Sequence, residues 1–431
     1  MQLAYVNGAL WSIGNGLIGT SLVLYLAREF GAARFALGIS FVLAAPHIVG
    51  ALRIAVPSLV RHVASRKRFT IAMFAASAVM LLGLPLIAMP RLRPAGDAAL
   101  AMVVVLWSVF HLFQYLATVT LWSWMADIAP ARVRGTFLGM RNRWMVVASI
   151  VSMLVSGAFV HVWQTHFPKP DHWMAYAIAA VAGAAMMLAA LVPLAMMPAL
   201  EKRDETIPRA SSLRSIRQAF SDRDFRRLLY FGCWFSFFNG ITQLPQHLYF
   251  MFLLGFGLVH LNGFRALTRA GQVVISPAVG RFADRFGNRP VLIASQLLVA
   301  MGPLFYFIAT PNTRWWIAGA WIVWIAYAGI NIAMPNLLLK LSPRGAEENV
   351  PYIAVYFALS GLFYAANVIF GGWLVERFAD AKFAVTSALT ISFYDAIFLV
   401  GWLGRTAGVL LLLAIIERGA YSWLRIWKSS R

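Results

Sequence analysis

Apolar residues occur along this chain in long runs rather than in alternation with polar residues. Runs of about 20 residues or more recur from one end to the other, and the short segments between them hold most of the charged residues. Each run is long enough to cross the roughly 30 Å hydrocarbon core of a bilayer as an α-helix. Because a helix satisfies its own backbone hydrogen bonds, as lipid requires, the pattern predicts an all-α polytopic membrane protein.

The runs predict about twelve transmembrane helices, here called spans 1 to 12. Spans 1 to 6 cover residues 4–27, 36–60, 69–90, 98–128, 136–161 and 173–197, and spans 7 to 12 cover residues 226–255, 262–282, 290–310, 315–341, 350–375 and 395–416. The longest polar segment separates the two sets. We therefore expect two pseudo-symmetric six-helix bundles, residues 1–197 and 226–431, joined by a cytoplasmic linker over residues 198–225.

The linker carries an amphipathic pattern. Leu213, Ile216 and Phe220 fall on one face of a basic helical segment, which is typical of a helix lying on the membrane surface. A disordered linker is the alternative interpretation.

Two similar stretches in spans 1 and 7 support a duplication. "NGLIGTSLVLYL", Asn15 to Leu26, and "NGITQLPQHLYF", Asn239 to Phe250, share four of twelve positions at an offset of 224 residues, and Asn15 corresponds to Asn239. Span 1 also contains "GNGLIG", which has the spacing of a dinucleotide-binding motif. No βαβ unit surrounds it, so we expect these glycines to allow close helix packing.

Composition and charge agree with a membrane protein. The chain is 61% hydrophobic and only 12% charged, with a formal net charge of +21, whereas soluble domains are about a quarter charged. Lys and Arg concentrate next to the segments that are cytoplasmic when the N-terminus lies inside, which predicts cytoplasmic N- and C-termini. Because these basic residues are spread over many short loops beside the bilayer, we expect no nucleic-acid partner. The short loops fit a bacterial inner membrane.

A charged segment marked by glycines, "GRFADRFGNRPVL", lies between spans 8 and 9 on the cytoplasmic side. It resembles the G-x-L-a-D-R-x-G-R-K-x-x-L loop pattern of the major facilitator superfamily of secondary transporters. The matching residues are Gly280, Phe282, Ala283, Asp284, Arg285, Gly287, Arg289 and Leu292. With about twelve spans and a central linker, the chain is identified as a member of this superfamily.

The resemblance implies alternating access, in which two bundles rock about a midplane cavity and a cytoplasmic ionic cluster acts as a gate. Asp284 would accept hydrogen bonds at the N-terminus of span 5, near Gly135. The segment "ADIAPARVRG" resembles the family's acid-x6-Arg pattern after span 4. The expected gating residues are Asp127, Arg134, Gly280, Asp284, Arg285, Gly287 and Arg289. The equivalent loop of the first half departs from the pattern, because His62 lies near the expected Asp.

The resemblance also implies that spans 1, 4, 7 and 10 line the cavity. Polar residues within a membrane are costly, so each one is a candidate for function. Span 7 is the richest, because three amide side chains recur there on one helical face. The expected substrate-binding residues are Asn15, His111, Gln114, Asn239, Gln243, Gln246, His247, Arg269 and Asn331. The alternative is that the amides only hold helices together.

The charges within the spans favour an anionic or neutral substrate. Arg53 and Arg269 lie within spans 2 and 8, whereas carboxylates are essentially absent from the middle of the spans. His111 or His247 could titrate near neutral pH, so proton coupling, facilitated diffusion and exchange all stay open.

We therefore expect a monomeric secondary or facilitative transporter of a small molecule, surrounded by the lipid bilayer. We expect no cofactor, no metal ion and no enzymatic activity, since Ser, His and acidic residues are scattered among different spans. The alternative function is that of a non-transporting receptor or assembly factor for a membrane complex, with the same fold.

Overall fold

A computed structural model describes residues 2–52, 65–128, 134–198, 220–341, 346–384 and 390–417 of the chain. Each predicted span contains helix. Spans 1 to 6 are formed by Gln2–Ile18 with Thr20–Arg28, Phe35–Ala51, Arg66–Leu81 with Gly83–Ala88, Gly96–Ile128, Arg134–His166, and His172–Ala189 with Leu191–Met196. A short 3-10 turn, Lys169–Asp171, precedes span 6.

The second set is similar, with more local irregularity. Spans 7 to 12 are formed by Arg223–Leu248, Leu258–Phe286, Asn288–Ala300 with Gly302–Ile308, Ile317–Val323 with Tyr327–Leu341, Ala346–Phe378, and Phe393–Leu413. A π-helical turn, Tyr249–Leu253, continues span 7, and 3-10 turns at Arg314–Trp316 and Trp324–Ala326 flank the first helix of span 10.

Within the described residues, nine helical stretches are long and apolar enough to cross a membrane, and Phe35–Ala51 is a shorter apolar helix. The helices of spans 7 and 8 are more polar. A feature that the sequence did not predict is a two-stranded antiparallel hairpin between spans 11 and 12, in which Lys382–Ala384 pairs with Thr390–Ser392.

The chain forms two compact units. One holds Met1–Ile207 together with Phe256–Ala266, and the other holds Pro208–Gly255 and Leu267–Arg431. The predicted domain boundaries at residues 197 and 226 stay a prediction. Most of the predicted linker lies outside the described residues.

Small residues set the helix packing of the first unit. A side chain at Gly14 would meet the backbone carbonyl of Gly183 in span 6, and one at Gly16 would meet Ser152 in span 5. The Ser156 hydroxyl donates to the Leu17 carbonyl at 2.8 Å. Close backbone approach through small residues is how helices associate in lipid, so the glycines of "GNGLIG" serve packing.

The second unit is built around span 7. Fully buried side chains from spans 7, 9 and 10, among them Phe225, Phe231, Leu292 and Leu337, form its core. Two of its described helices also begin with side-chain caps that satisfy free backbone N–H groups. Asp222 accepts hydrogen bonds from two N–H groups at the start of span 7, and a capping box that pairs a serine with an aspartate starts span 12.

Candidate functional site

Two of the predicted substrate-binding residues meet in the first unit. The Gln114 amide in span 4 donates to the Asn15 side-chain oxygen in span 1 at 3.3 Å, and the Asn15 amide donates to the Trp11 carbonyl at 3.2 Å. Both side chains are half-buried. An amide pair thus joins spans 1 and 4.

The second unit repeats this arrangement with the equivalent asparagine. The Tyr327 hydroxyl in span 10 donates to the Asn239 side-chain oxygen in span 7 at 2.8 Å, and the Asn239 amide donates to the Phe235 carbonyl at 2.7 Å. Asn15 and Asn239, which correspond in the sequence repeat, therefore each make a cross-span hydrogen bond between the first and fourth helices of their unit.

The other polar residues of span 7 lie one turn further along. The His247 ring nitrogen Nδ1 lies 2.7 Å from the Gln243 carbonyl and 3.5 Å from the Gln243 amide nitrogen. Gln246 is buried, and its amide nitrogen has no partner among the described residues. Pro245 lies within this helix; because proline supplies no N–H, it leaves one carbonyl of the preceding turn without its helical donor.

His111 lies in an aromatic environment in span 4. Its ring is 4.6 Å from Trp107 in an edge-on arrangement and 4.9 Å from Phe110. Its Nε2 atom is buried without a hydrogen-bond partner in the described part of the chain.

The remaining predicted residues are exposed or lie outside the described part. Arg269 in span 8 and Asn331 in span 10 have exposed side chains. Neighbouring polar groups of span 8 are engaged with span 10, since Thr268 and Gln272 donate to backbone carbonyls there at 2.8 and 3.3 Å. Arg53 lies outside the described residues.

Among the residues that the structure describes, two arginines are buried that the sequence analysis did not single out. Arg405 in span 12 is 1% exposed, and Arg141 in span 5 is 5% exposed. Arg141 donates to the Met145 sulfur at 3.0 Å and to the Asn7 side-chain oxygen at 3.5 Å, and it stacks over the Trp122 ring at 5.6 Å. For Arg405 the sequence signal was a single arginine within an apolar run, whereas Arg141 is followed two positions later by Arg143. Neither pattern tells which face of the helix is buried.

The predicted gating loop is almost entirely helical. Span 8 continues to Phe286 and span 9 begins at Asn288, so that only Gly287 separates them, with a φ of 100° that glycine adopts easily. Asp284 and Arg285 lie exposed in the last turn of span 8, and Gly280 lies within the same helix. The side chains of Asp127 and Arg134 lie outside the described residues, so their expected gate contacts stay a prediction.

A carboxylate beyond the last span anchors this end of the second unit. Glu417 accepts hydrogen bonds from the Asn288 N–H at 3.1 Å, the Asn288 amide at 2.8 Å and the Arg289 N–H at 2.7 Å. The Lys340 ammonium donates to it at 2.8 Å. Burial raises the pKa of Glu417, but the bonds from Lys340, Arg289 and Asn288 outweigh burial and hold the pKa below its ordinary value.

The Arg289 side chain adds a second link between the start of span 9 and the end of span 12. Its guanidinium donates to the carbonyls of Leu412 and Leu413 at 3.1 and 2.6 Å, at the C-terminal end of span 12. A carboxylate thus lies at the N-terminus of span 9 and a guanidinium at the C-terminus of span 12, which is the favourable orientation for both helix dipoles. Of the predicted gating residues, Arg289 is therefore engaged within its own unit.

Comparison with known proteins supports the interpretation of the fold. The sequence model of the Major Facilitator Superfamily matches residues 4–347, and no curated protein sequence matches significantly. A solved structure of a variant of the nucleoside transporter NupG is similar with a TM-score of 0.70 and 13% identity, over 96% of this chain and 100% of its own. A D-xylose–proton symporter is similar with a TM-score of 0.68 and 13% identity, over 96% of this chain and 97% of its own.

A bacterial homologue of the human lysosomal transporter Spinster is similar with a TM-score of 0.63 and 14% identity, over 96% of this chain and 94% of its own. At these identities the similarity shows the fold. The prediction of an all-α integral membrane protein with about twelve transmembrane helices in two six-helix bundles is thereby confirmed.

Proposed function

Because the chain belongs to the Major Facilitator Superfamily, we propose that it is a non-enzymatic secondary or facilitative transporter that moves a small anionic or neutral molecule by alternating access. It works as a monomer in a bacterial inner membrane, with both termini in the cytoplasm. The observation that carries the proposal is the repeated cross-span hydrogen bond, Gln114 to Asn15 in one unit and Tyr327 to Asn239 in the other.

These groups suit a polar solute. An amide both donates and accepts hydrogen bonds, and a tyrosine hydroxyl does the same, so the two clusters offer complementary groups to hydroxyls or carbonyls of a substrate. The structurally similar proteins include one named as a nucleoside transporter and one named as a D-xylose–proton symporter, and both solutes carry several hydroxyl groups. The exposed Arg269 adds a positive charge on span 8, which favours an anion over a cation.

The gate is the part of the proposal that rests on the motif between spans 8 and 9. We place Gly280, Asp284, Arg285 and Gly287 in the cytoplasmic gate together with Asp127 and Arg134. The support is the sequence resemblance and the exposure of Asp284 and Arg285 at the end of span 8, which leaves both charges able to pair with a neighbouring helix.

The test is uptake into proteoliposomes that contain the purified full-length protein, with labelled nucleosides, pentoses and small organic acids. Asn239→Ala should reduce the uptake of the transported solute by about tenfold or more, because one lost hydrogen bond to a substrate is worth about 1.4 kcal/mol. Tyr327→Phe should act in the same direction and preserves the shape of the side chain.

Asn367→Ala is the matched control. Asn367 in span 11 is 8% exposed and its amide donates to the carbonyl four residues earlier at 2.7 Å, while Asn239 is 7% exposed with the same local bond. If both alanine variants lower uptake equally, Asn239 has only a structural role. A wild type that carries none of the solutes would instead favour a receptor or assembly factor.

Proton coupling is the second arm of this experiment. A pH gradient, acidic outside, should accelerate uptake if a titratable group in the spans carries the proton, and His247 beside Gln243 is the candidate in span 7. His247→Asn should then abolish the response to the gradient and preserve exchange at equal pH. Wild-type uptake that is the same with and without the pH gradient would indicate facilitated diffusion or exchange.

A further inference from the structure

The middle of span 12 holds an arginine in an aromatic environment. Arg405 is 1% exposed. The Trp234 indole N–H donates to the neighbouring carbonyl of Gly404 at 2.7 Å, and the Phe238 ring lies directly against Gly404. From span 9, the Gln296 amide donates to the Arg405 carbonyl at 2.7 Å. Spans 7 and 9 therefore enclose this part of span 12.

The guanidinium uses only part of its hydrogen-bonding capacity. Its Nη2 atom donates to the Thr242 hydroxyl at 2.5 Å and more weakly to the Phe238 carbonyl at 3.5 Å. Its Nε and Nη1 atoms, which carry three of the five N–H donors of an arginine, have no partner in the described part of the chain.

No carboxylate balances the charge within the described residues. Arg405 takes part in neither of the ion pairs that the described residues form, Arg227 with Asp224 and Lys340 with Glu417. A buried cation is costly without a negative partner, and within a membrane such a residue marks a functional site by default. Arg405 differs in this respect from a structural ion pair such as that of Lys340 and Glu417.

We propose that Arg405 binds the carboxylate of an anionic substrate whose remaining part is aromatic. A guanidinium holds a carboxylate with two parallel hydrogen bonds, and the surrounding rings favour an aromatic body. The inference rests on the proposed transport function, because a side chain that is 1% exposed meets a ligand only when the transporter changes conformation and spans 7 and 12 separate locally.

The experiment measures thermal unfolding of the detergent-purified full-length protein with benzoate, its neutral analogue benzamide, acetate and chloride. Benzoate at saturation should raise the melting temperature by at least about 3 °C, and benzamide should leave it unchanged. Acetate should act more weakly than benzoate because it lacks the ring. A response to chloride as large as that to benzoate would show a site for an inorganic ion and overturn the carboxylate inference.

Variants test whether the response belongs to this residue. R405Q should lose the benzoate response, and its melting temperature without anion should be no lower than that of the wild type, because an unbalanced charge is removed from the interior. R405K keeps the charge without the planar fork and should weaken benzoate binding at least about tenfold. R141Q, which neutralises the other buried arginine, is the control and should keep the full benzoate response.

The proposal would also be overturned by a benzoate response that survives in R405Q, by a wild type that responds to none of the anions, or by equal responses to benzoate and benzamide. If R405Q does not fold, the proposal is tested by the benzoate response of R405K and by the comparison of benzoate with benzamide in the wild type. Uptake of labelled benzoate into proteoliposomes separates this inference from transport itself. Benzoate that binds without being taken up would refute transport of benzoate and leave the anion site, whereas benzoate uptake that is unchanged in R405Q would leave transport and refute the site.

Discussion

Replacing Glu417 by glutamine should destabilise the second unit. The Glu417 side chain is 1% exposed and accepts four hydrogen bonds, of which two come from backbone N–H groups at the start of span 9. Glutamine keeps one acceptor oxygen and places an NH2 group where the second oxygen was, so one buried backbone N–H faces another donor.

The magnitude follows from these contacts. A hydrogen bond to a charged group contributes about 1.5–3 kcal/mol, and a buried donor left unsatisfied costs about 1–3 kcal/mol. The Lys340 partner is 54% exposed, so solvent screens that ion pair and it adds little. We expect Glu417→Gln to lower the free energy of unfolding by about 2–4 kcal/mol near neutral pH.

The loss of stability in Glu417→Gln should be larger at neutral pH than at acidic pH. Because the pKa of Glu417 lies below its ordinary value of 4.5, the carboxylate stabilises the fold above that value, and the stabilisation is lost as the pH falls through the folded-state pKa. The difference between wild type and variant should therefore be full at about pH 7 and should shrink below about pH 4.

The assay is denaturant unfolding in mild detergent, followed by tryptophan fluorescence at both pH values. Glu29→Gln is the matched control, because Glu29 is exposed and the same substitution there should stay within about 0.5 kcal/mol. A Glu417→Gln variant as stable as the wild type at about pH 7, or a difference that grows on acidification, would refute this reasoning.

Two glycine comparisons test the backbone and the packing with the same unfolding assay. Gly287→Ala should cost about 1–3 kcal/mol, because φ 100° and ψ 164° belong to a region that is essentially restricted to glycine. Gly280→Ala, in a helix with nothing near its added Cβ, should be neutral or stabilising by up to about 1 kcal/mol. Gly16→Ala should cost about 1–3 kcal/mol through its clash with Ser152, whereas Gly50→Ala, which meets nothing within 4 Å, should not. Equal effects within either pair would contradict the described packing.

The positions of the helices could be predicted because each depends on an apolar run that is local in the sequence. An apolar run of about 20 residues has few alternatives to a transmembrane helix, and every predicted span contains helix, although the helices of spans 7 and 8 are not among the nine apolar ones of the described residues. The hydrogen bond between Gln114 and Asn15 agrees with the expectation that spans 1 and 4 face a common cavity, and the cavity itself stays a prediction. The break of span 1 at Gly19 was not predicted, because glycine within an apolar run also serves packing.

The features that the sequence did not predict depend on contacts between residues that are distant in the sequence. Glu417 bonds to Asn288 across 129 positions, and nothing near either residue indicates the other. Arg405 lies in an apolar run with no clear amphipathic pattern, so the sequence does not tell whether it faces lipid or the bundle interior. Arg269 was assigned to span 8, where the structure has a helix, but its exposure follows from how span 8 packs.

Solute uptake by proteoliposomes tests the central claim most directly. We predict saturable uptake of at least one nucleoside, pentose or small organic acid by the wild type, reduced about tenfold or more in Asn239→Ala and preserved in Asn367→Ala. Proteoliposomes that take up none of these solutes faster than protein-free vesicles would contradict the claim that this chain is a transporter.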